Sequence, residues 1–132
     1  MIAVDSSALV AIALDEGEAQ PFSALIAREG AALGGPTLVE TKLVLSRLGS
    51  KAVDTLFRKL GEDGVLTIVD FTPDMTEAAV AAFRLYGKGR GHPAGLNYGD
   101  CLAYAVARVL NLPLLFKGDD FRHTDIVPAH RT

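Results

Sequence analysis

Among sixteen acidic residues in a chain of 132, four positions stand where solubility does not require a charge: Asp5, Glu40, Asp100, and the adjacent Asp119 and Asp120. Asp5 follows the apolar run Ile2-Ala3-Val4 and precedes a helix expected from Ser6. The carboxyl end of a strand is where open α/β sheets bind ligands. Helix capping by Asp5 is the plain alternative, although Ser6 or Ser7 can do that work. Thr37 and Glu40 have the spacing of a capping box, which gives Glu40 a structural explanation. Asn97 and Asp100 share that offset, yet the helix after them is apolar on nearly every face. Asp100 is therefore expected in a buried pocket, where an ionised carboxylate requires a nearby cation. Asp119 and Asp120 follow a strand through a tight Lys117-Gly118 turn, a place that a solvated turn explains equally well.

The combination says more than any member. Two carboxylates ~5 Å apart repel by about 3 kcal/mol at an effective dielectric near 20, so a cluster must share protons or bind cations. Oxygen donors without a His or Cys set point to Mg²⁺ or Mn²⁺. Zinc does not fit: the chain has neither HExxH nor CxxC, and Cys101 is its only cysteine. Magnesium held by few carboxylates keeps waters and engages substrate phosphates, which makes phosphodiester hydrolysis the natural chemistry.

Short β-prone runs alternating with longer helical patterns must position these acids, which predicts an α/β fold with a mainly parallel sheet of four or five strands. Strands are expected at Ile2 to Val4, Leu66 to Phe71, Pro113 to Phe116 and Asp125 to Val127. Helices are expected from Ser6, over Glu18 to Glu29 with Gly30 ending it, and as a hairpin, Thr37 to Leu48 and Ser50 to Leu60, broken at Gly49. After Pro73, the residues Met75, Ala79, Ala82, Phe83 and Tyr86 form one core-facing stripe. Tyr98 to Leu110 carries only Asp100 and Arg108 as charges, so this helix is expected to be buried on most of its surface. Asp74 and Glu77 suit a first helical turn; Asp15, Glu16, Glu18, Glu62 and Asp63 read as solvated turns.

The length fits one domain over residues 1–132, large enough to fold without disulfides. A lone cysteine suits a reducing cytoplasm, the N-terminus does not read as a signal peptide, and no apolar run reaches the ~20 residues of a membrane span. Lys88, Arg90 and His92 lie in the glycine-rich stretch Gly87 to Gly95, upstream of Asp100, where they can hold phosphates if the loop covers the acids. Lys117 and Arg122 flank the Asp pair. His123 and His130 read as surface residues, and Tyr86, Tyr98 and Tyr104 as core or interface.

The chain resembles the PIN-domain ribonucleases, specifically the VapC-type toxins of bacterial toxin–antitoxin pairs, over essentially its whole length. The resemblance is carried by Val4-Asp5-Ser6-Ser7-Ala8-Leu9, by Val39-Glu40-Thr41, and by the longer stretches Tyr86 to Ala103 and Leu114 to Ile126. It implies an α/β/α sandwich and a Mg²⁺- or Mn²⁺-dependent endoribonuclease. Asp5, Glu40, Asp100 and Asp120 would be its acidic quartet, with Asp119 as supplementary candidate. Asp5 and Asp100 would be direct metal ligands, and Ser7 would orient the first acid or a water. A VapB-type antitoxin and a homodimer are also implied, with an antitoxin arginine inserted among the acids.

A haloacid-dehalogenase-like phosphatase would need a second Asp at position 7, where this chain has Ser7. A receiver domain would place its acid pair after the first strand. A non-catalytic RNA- or protein-binding module remains the rival reading. The net charge of −3 does not oppose an RNA partner: without Asp5, Glu40, Asp100 and Asp120, twelve acids face thirteen basic residues.

Overall fold

The computed structural model describes residues 1–61 and 64–131. Glu62 and Asp63, expected in an acidic turn, lie outside the described residues. The chain runs β1 (Ile2–Val4), α1 (Ser6–Ala13), α2 (Ala19–Glu29), β2 (Ala31–Gly34), α3 (Gly35–Ser46), α4 (Ser50–Leu60), β3 (Leu66–Val69), α5 (Pro73–Tyr86), α6 (Tyr98–Leu110) and β4 (Leu114–Leu115). A 3-10 helix, Asp120–His123, follows β4.

The four strands form one parallel sheet in the order β3-β2-β1-β4. Alternation along β1 divides the core in two. Ile2 and Val4 pack with Leu9, Ile12, Phe22, Ile26 and Leu56 on the α1, α2 and α4 side. Ala3 faces Met75, Ala82, Tyr104 and Val106 from α5 and α6. The result is the α/β/α sandwich expected. Helix α6 is buried from Cys101 through Ala107, as its composition requires. It presses so closely on β2 that a Cβ on Gly34 would lie 2.9 Å from Val106 Cγ2.

Three local expectations change. Strand β2 was not expected, because Ala31-Ala32-Leu33-Gly34 has little intrinsic β preference. It forms because its four residues are buried between β1 and β3. The segment Asp125 to Val127 is not a strand; the chain meets the sheet just after it through a single bridge, Leu114 to Pro128, in which the Leu114 amide donates to the Val127 carbonyl and the Ala129 amide to the Leu114 carbonyl. Helix α3 starts two residues early, with Pro36 in its first turn and Gly34 as a cap without a side chain. The break at Gly49 stands, with φ of 109° between α3 and α4. No described helix is long and apolar enough to cross a membrane.

Strand order reverses at β1, with β2 on one side and β4 on the other. Asp5 leaves the carboxyl end of β1, and the Lys117-Gly118 turn leaves that of β4. The crevice of an α/β sheet opens at such a switch point.

Candidate active site

Asp5 caps the helix that follows it and stands at the carboxyl end of β1. It is the N-cap of α1: its Oδ2 accepts hydrogen bonds from the Ser7 amide at 3.1 Å and from the Ser7 hydroxyl at 2.5 Å. Its other oxygen, Oδ1, is buried without a hydrogen-bond partner. Ser7 Oγ also accepts from the Lys117 amide at 3.0 Å, so one hydroxyl ties the first acid to the turn leaving β4. Burial pushes the Asp5 carboxyl up to about 7. The two Ser7 bonds pull the other way, and the charges of Asp100 and Glu40 raise it further.

Glu40 does not close a capping box. Because α3 begins at Gly35, Thr37 lies inside the helix, buried, and its carbonyl accepts from Thr41 Oγ1 at 2.8 Å. The structural explanation for Glu40 is thereby removed. Its Oε1 is buried with no partner, and its carboxylate rests against Gly99 in the first turn of α6. Asp100 does close a box. Its amide donates to Asn97 Oδ1 at 2.8 Å, and its Oδ2 accepts from the Asn97 amide at 3.0 Å. Burial raises its pKa, the Asn97 bond opposes this, and Asp120 and Glu40 add repulsion.

Asp120 opens the 3-10 helix and is the member of the Asp pair whose charge acts on Asp100. Asp119 points elsewhere: it lies 3.4 Å from Arg122 Nε with its side chain 86% exposed. The flanking cations are similarly engaged. Lys117 Nζ lies 3.2 Å from both Glu16 and Glu18, and Arg122 stacks over Phe116. In the glycine-rich loop, Arg90 lies over the Phe83 ring, and His92 packs edge-on against Tyr86 while its Nδ1 accepts from the Ala94 amide. These contacts fasten the loop. Burial pushes the Cys101 thiol up to about 11, which makes it an inert core group.

Among the described residues, no three His, Cys, Asp or Glu side chains form a ready-made metal cluster. The donor set nevertheless fits a hard cation. Mg²⁺ needs only one or two carboxylates and keeps its waters. Two buried carboxylate oxygens without donors are what such an ion or its waters would satisfy. Beside Glu40, a cleft of about 690 Å³ runs between α3 and α6, lined by Val39, Leu43, Arg47 and Tyr98. Arg47 and Gly99 were not singled out from sequence. The available signal for Gly99 was a glycine within a helix start, a position where alanine is the better helix former. Of the three tyrosines, Tyr104 is core, whereas Tyr98 stands 79% exposed over this cleft.

Known proteins share this fold. The PIN domain family model matches residues 2–127. Ribonuclease VapC42 of Mycobacterium tuberculosis is 40% identical over 127 residues, covering 96% of this chain and 97% of the relative. Ribonuclease VapC of Mycolicibacterium smegmatis is 43% identical over 129 residues, covering 96% and 98%. The crystal structure of M. tuberculosis VapC20, a sarcin–ricin loop cleaving toxin, superposes with a TM-score of 0.72 at 21% identity, covering 96% of this chain and 97% of that one. A toxin–antitoxin complex from Klebsiella pneumoniae gives 0.71 at 19% identity, with both chains fully covered. The fold is thus a shared one, and the chain belongs to the PIN-domain family and, within it, to the VapC ribonucleases.

Proposed function

We propose that this protein is a Mg²⁺- or Mn²⁺-dependent endoribonuclease toxin that hydrolyses RNA phosphodiester bonds in the cytoplasm and is neutralised by a VapB-type antitoxin. The observation that carries the reading is the pair of orphaned buried oxygens, Asp5 Oδ1 and Glu40 Oε1, in electrostatic contact with Asp100. A fold gains nothing from leaving such acceptors unsatisfied.

Asp5 and Asp100 would hold the ion. When bound, the divalent cation lowers the pKa of water and neutralises charge on the phosphate. Ser7 fixes the Asp5 carboxylate by occupying Oδ2, which leaves Oδ1 aimed away from the cap. Glu40 and Asp120 would complete the pocket, through waters or a second metal. Asp119, engaged with Arg122, is the weaker candidate for that place. Lys88, Arg90 and His92 approach the RNA backbone from the glycine-rich loop, a contribution that salt would screen.

The apolar rim supports the protein partners. Val39, Leu43 and Tyr98 are exposed beside Glu40, and Val80 and Phe83 are exposed on α5. We assign the rim beside the acids to the antitoxin, whose arginine would pair with them, and propose that the toxin is a homodimer.

Asp5→Asn and Asp100→Asn are each expected to abolish RNA cleavage while leaving the circular dichroism spectrum unchanged. Cleavage at the wild-type rate by either variant in Mg²⁺ would overturn the assignment. EDTA is expected to stop cleavage and spare RNA binding; absence of cleavage under any divalent ion would favour the binding-module reading.

A further inference from the structure

Helix α6 begins Tyr98-Gly99-Asp100, and the glycine is not there for its backbone: Gly99 is absent from the positive-φ residues. Glycine inside a helix costs roughly 1 kcal/mol relative to alanine, so its presence needs another reason. A Cβ built on Gly99 would lie 2.7 Å from Glu40 Cδ and 2.8 Å from Oε1, and closer still to Oε2. All three nearest atoms belong to one carboxylate. That carboxylate is also the one whose Oε1 is buried without a partner. The obstructed group is the free end of a flexible side chain, so a methyl there would move the carboxylate without breaking the packing of backbone on backbone.

We infer that Gly99 is a positioning residue: its missing side chain is the seat that holds the Glu40 carboxylate against α6, next to Asp100. This rests on the reading of Glu40 as part of the nucleolytic pocket. Helix propensity and site geometry oppose each other at this position. Alanine favours the helix, and glycine favours the acid.

The test is Gly99→Ala in the full chain. Its melting temperature is expected to match or exceed the wild type, while RNA cleavage in Mg²⁺ falls roughly tenfold or more, the usual scale for disturbing an outer partner of a metal pocket. Mn²⁺ affinity, read by electron paramagnetic resonance without RNA, is expected to weaken in parallel. Shortening the acid should restore room, so Gly99→Ala with Glu40→Asp is expected to bind Mn²⁺ and cleave better than Gly99→Ala alone. In a Glu40→Gln background, Gly99→Ala should cost little further. Wild-type cleavage and Mn²⁺ binding by Gly99→Ala would overturn the proposal. So would an undiminished loss in the Glu40→Gln background. Wild-type cleavage by Glu40→Gln alone would instead remove Glu40 from the pocket, and the role of Gly99 with it.

Discussion

Two acid clusters flank helix α6, and the protein treats them in opposite ways. Near its C-terminal half, Asp125 accepts from the Tyr104 hydroxyl at 2.7 Å, and its other oxygen lies 3.7 Å from Arg108 Nε. Both oxygens are engaged, and the arrangement fastens the C-terminal segment to the core. At the other end, Asp5 and Glu40 each bury an oxygen with no partner, and Asp100 adds repulsion. The Lys117 ammonium, whose backbone amide meets Ser7, is taken up instead by Glu16 and Glu18. The Asp125 cluster follows the ordinary rule for polar groups. The Asp5 cluster departs from it, leaving two buried acceptors without a donor.

The largest effect should come from reversing the two clusters' roles. Asp5→Asn keeps a good helix cap and is expected to cut RNA cleavage about a thousandfold, yet to raise the melting temperature of the metal-free protein at pH 8. Asp125→Asn should do the opposite, leaving cleavage unchanged while lowering stability by about 1 kcal/mol, which thermal denaturation reads as a drop of about 4 °C. Matching losses of stability in both variants would erase the contrast.

pH sharpens it next. The Asp5 carboxyl stands at 3.8 in the unfolded chain and about 7 in the fold, so the folded state binds its proton more tightly. The stability it contributes is complete below about pH 4 and is lost as pH rises through about 7. Metal-free melting temperature should fall across that window, and the fall should be smaller in Asp5→Asn, where only the raised Asp100 carboxyl is left to contribute. Mn²⁺ requires the ionised form, so the stabilisation it gives should be greater at pH 8 than at pH 6, measured by melting with and without the ion.

Ser7→Ala removes the hydroxyl between Asp5 and Lys117 and is expected to reduce Mn²⁺ affinity roughly 10–100-fold, by titration. The smallest effect belongs to Asp119→Asn, which breaks only an exposed pair with Arg122. Cleavage within about twofold of wild type is expected, whereas Asp120→Asn should lose far more. An equal loss in both would return the Asp pair to ambiguity.

Much of this was legible in the chain. The ends of β1, the Asn97–Asp100 box, the break at Gly49 and the burial of α6 follow from local chemistry: an acid after an apolar run, a capping offset, a glycine, a helix with two charges. These features act within a few residues, and sequence spacing encodes them directly. Tertiary structure decided the rest. Strand β2 exists because neighbours on both sides pair with an alanine-rich segment that has little preference of its own. Early initiation of α3 turned Glu40 from an expected cap into a half-buried carboxylate with one buried oxygen that lacks a donor. The twist of the 3-10 helix brought the charge of Asp120, and not that of Asp119, to bear on Asp100. The depth of Glu40 against Gly99 depends on how closely α3 and α6 approach. Each is a distance between segments far apart in the chain, set by packing density, and no local pattern of residues specifies it.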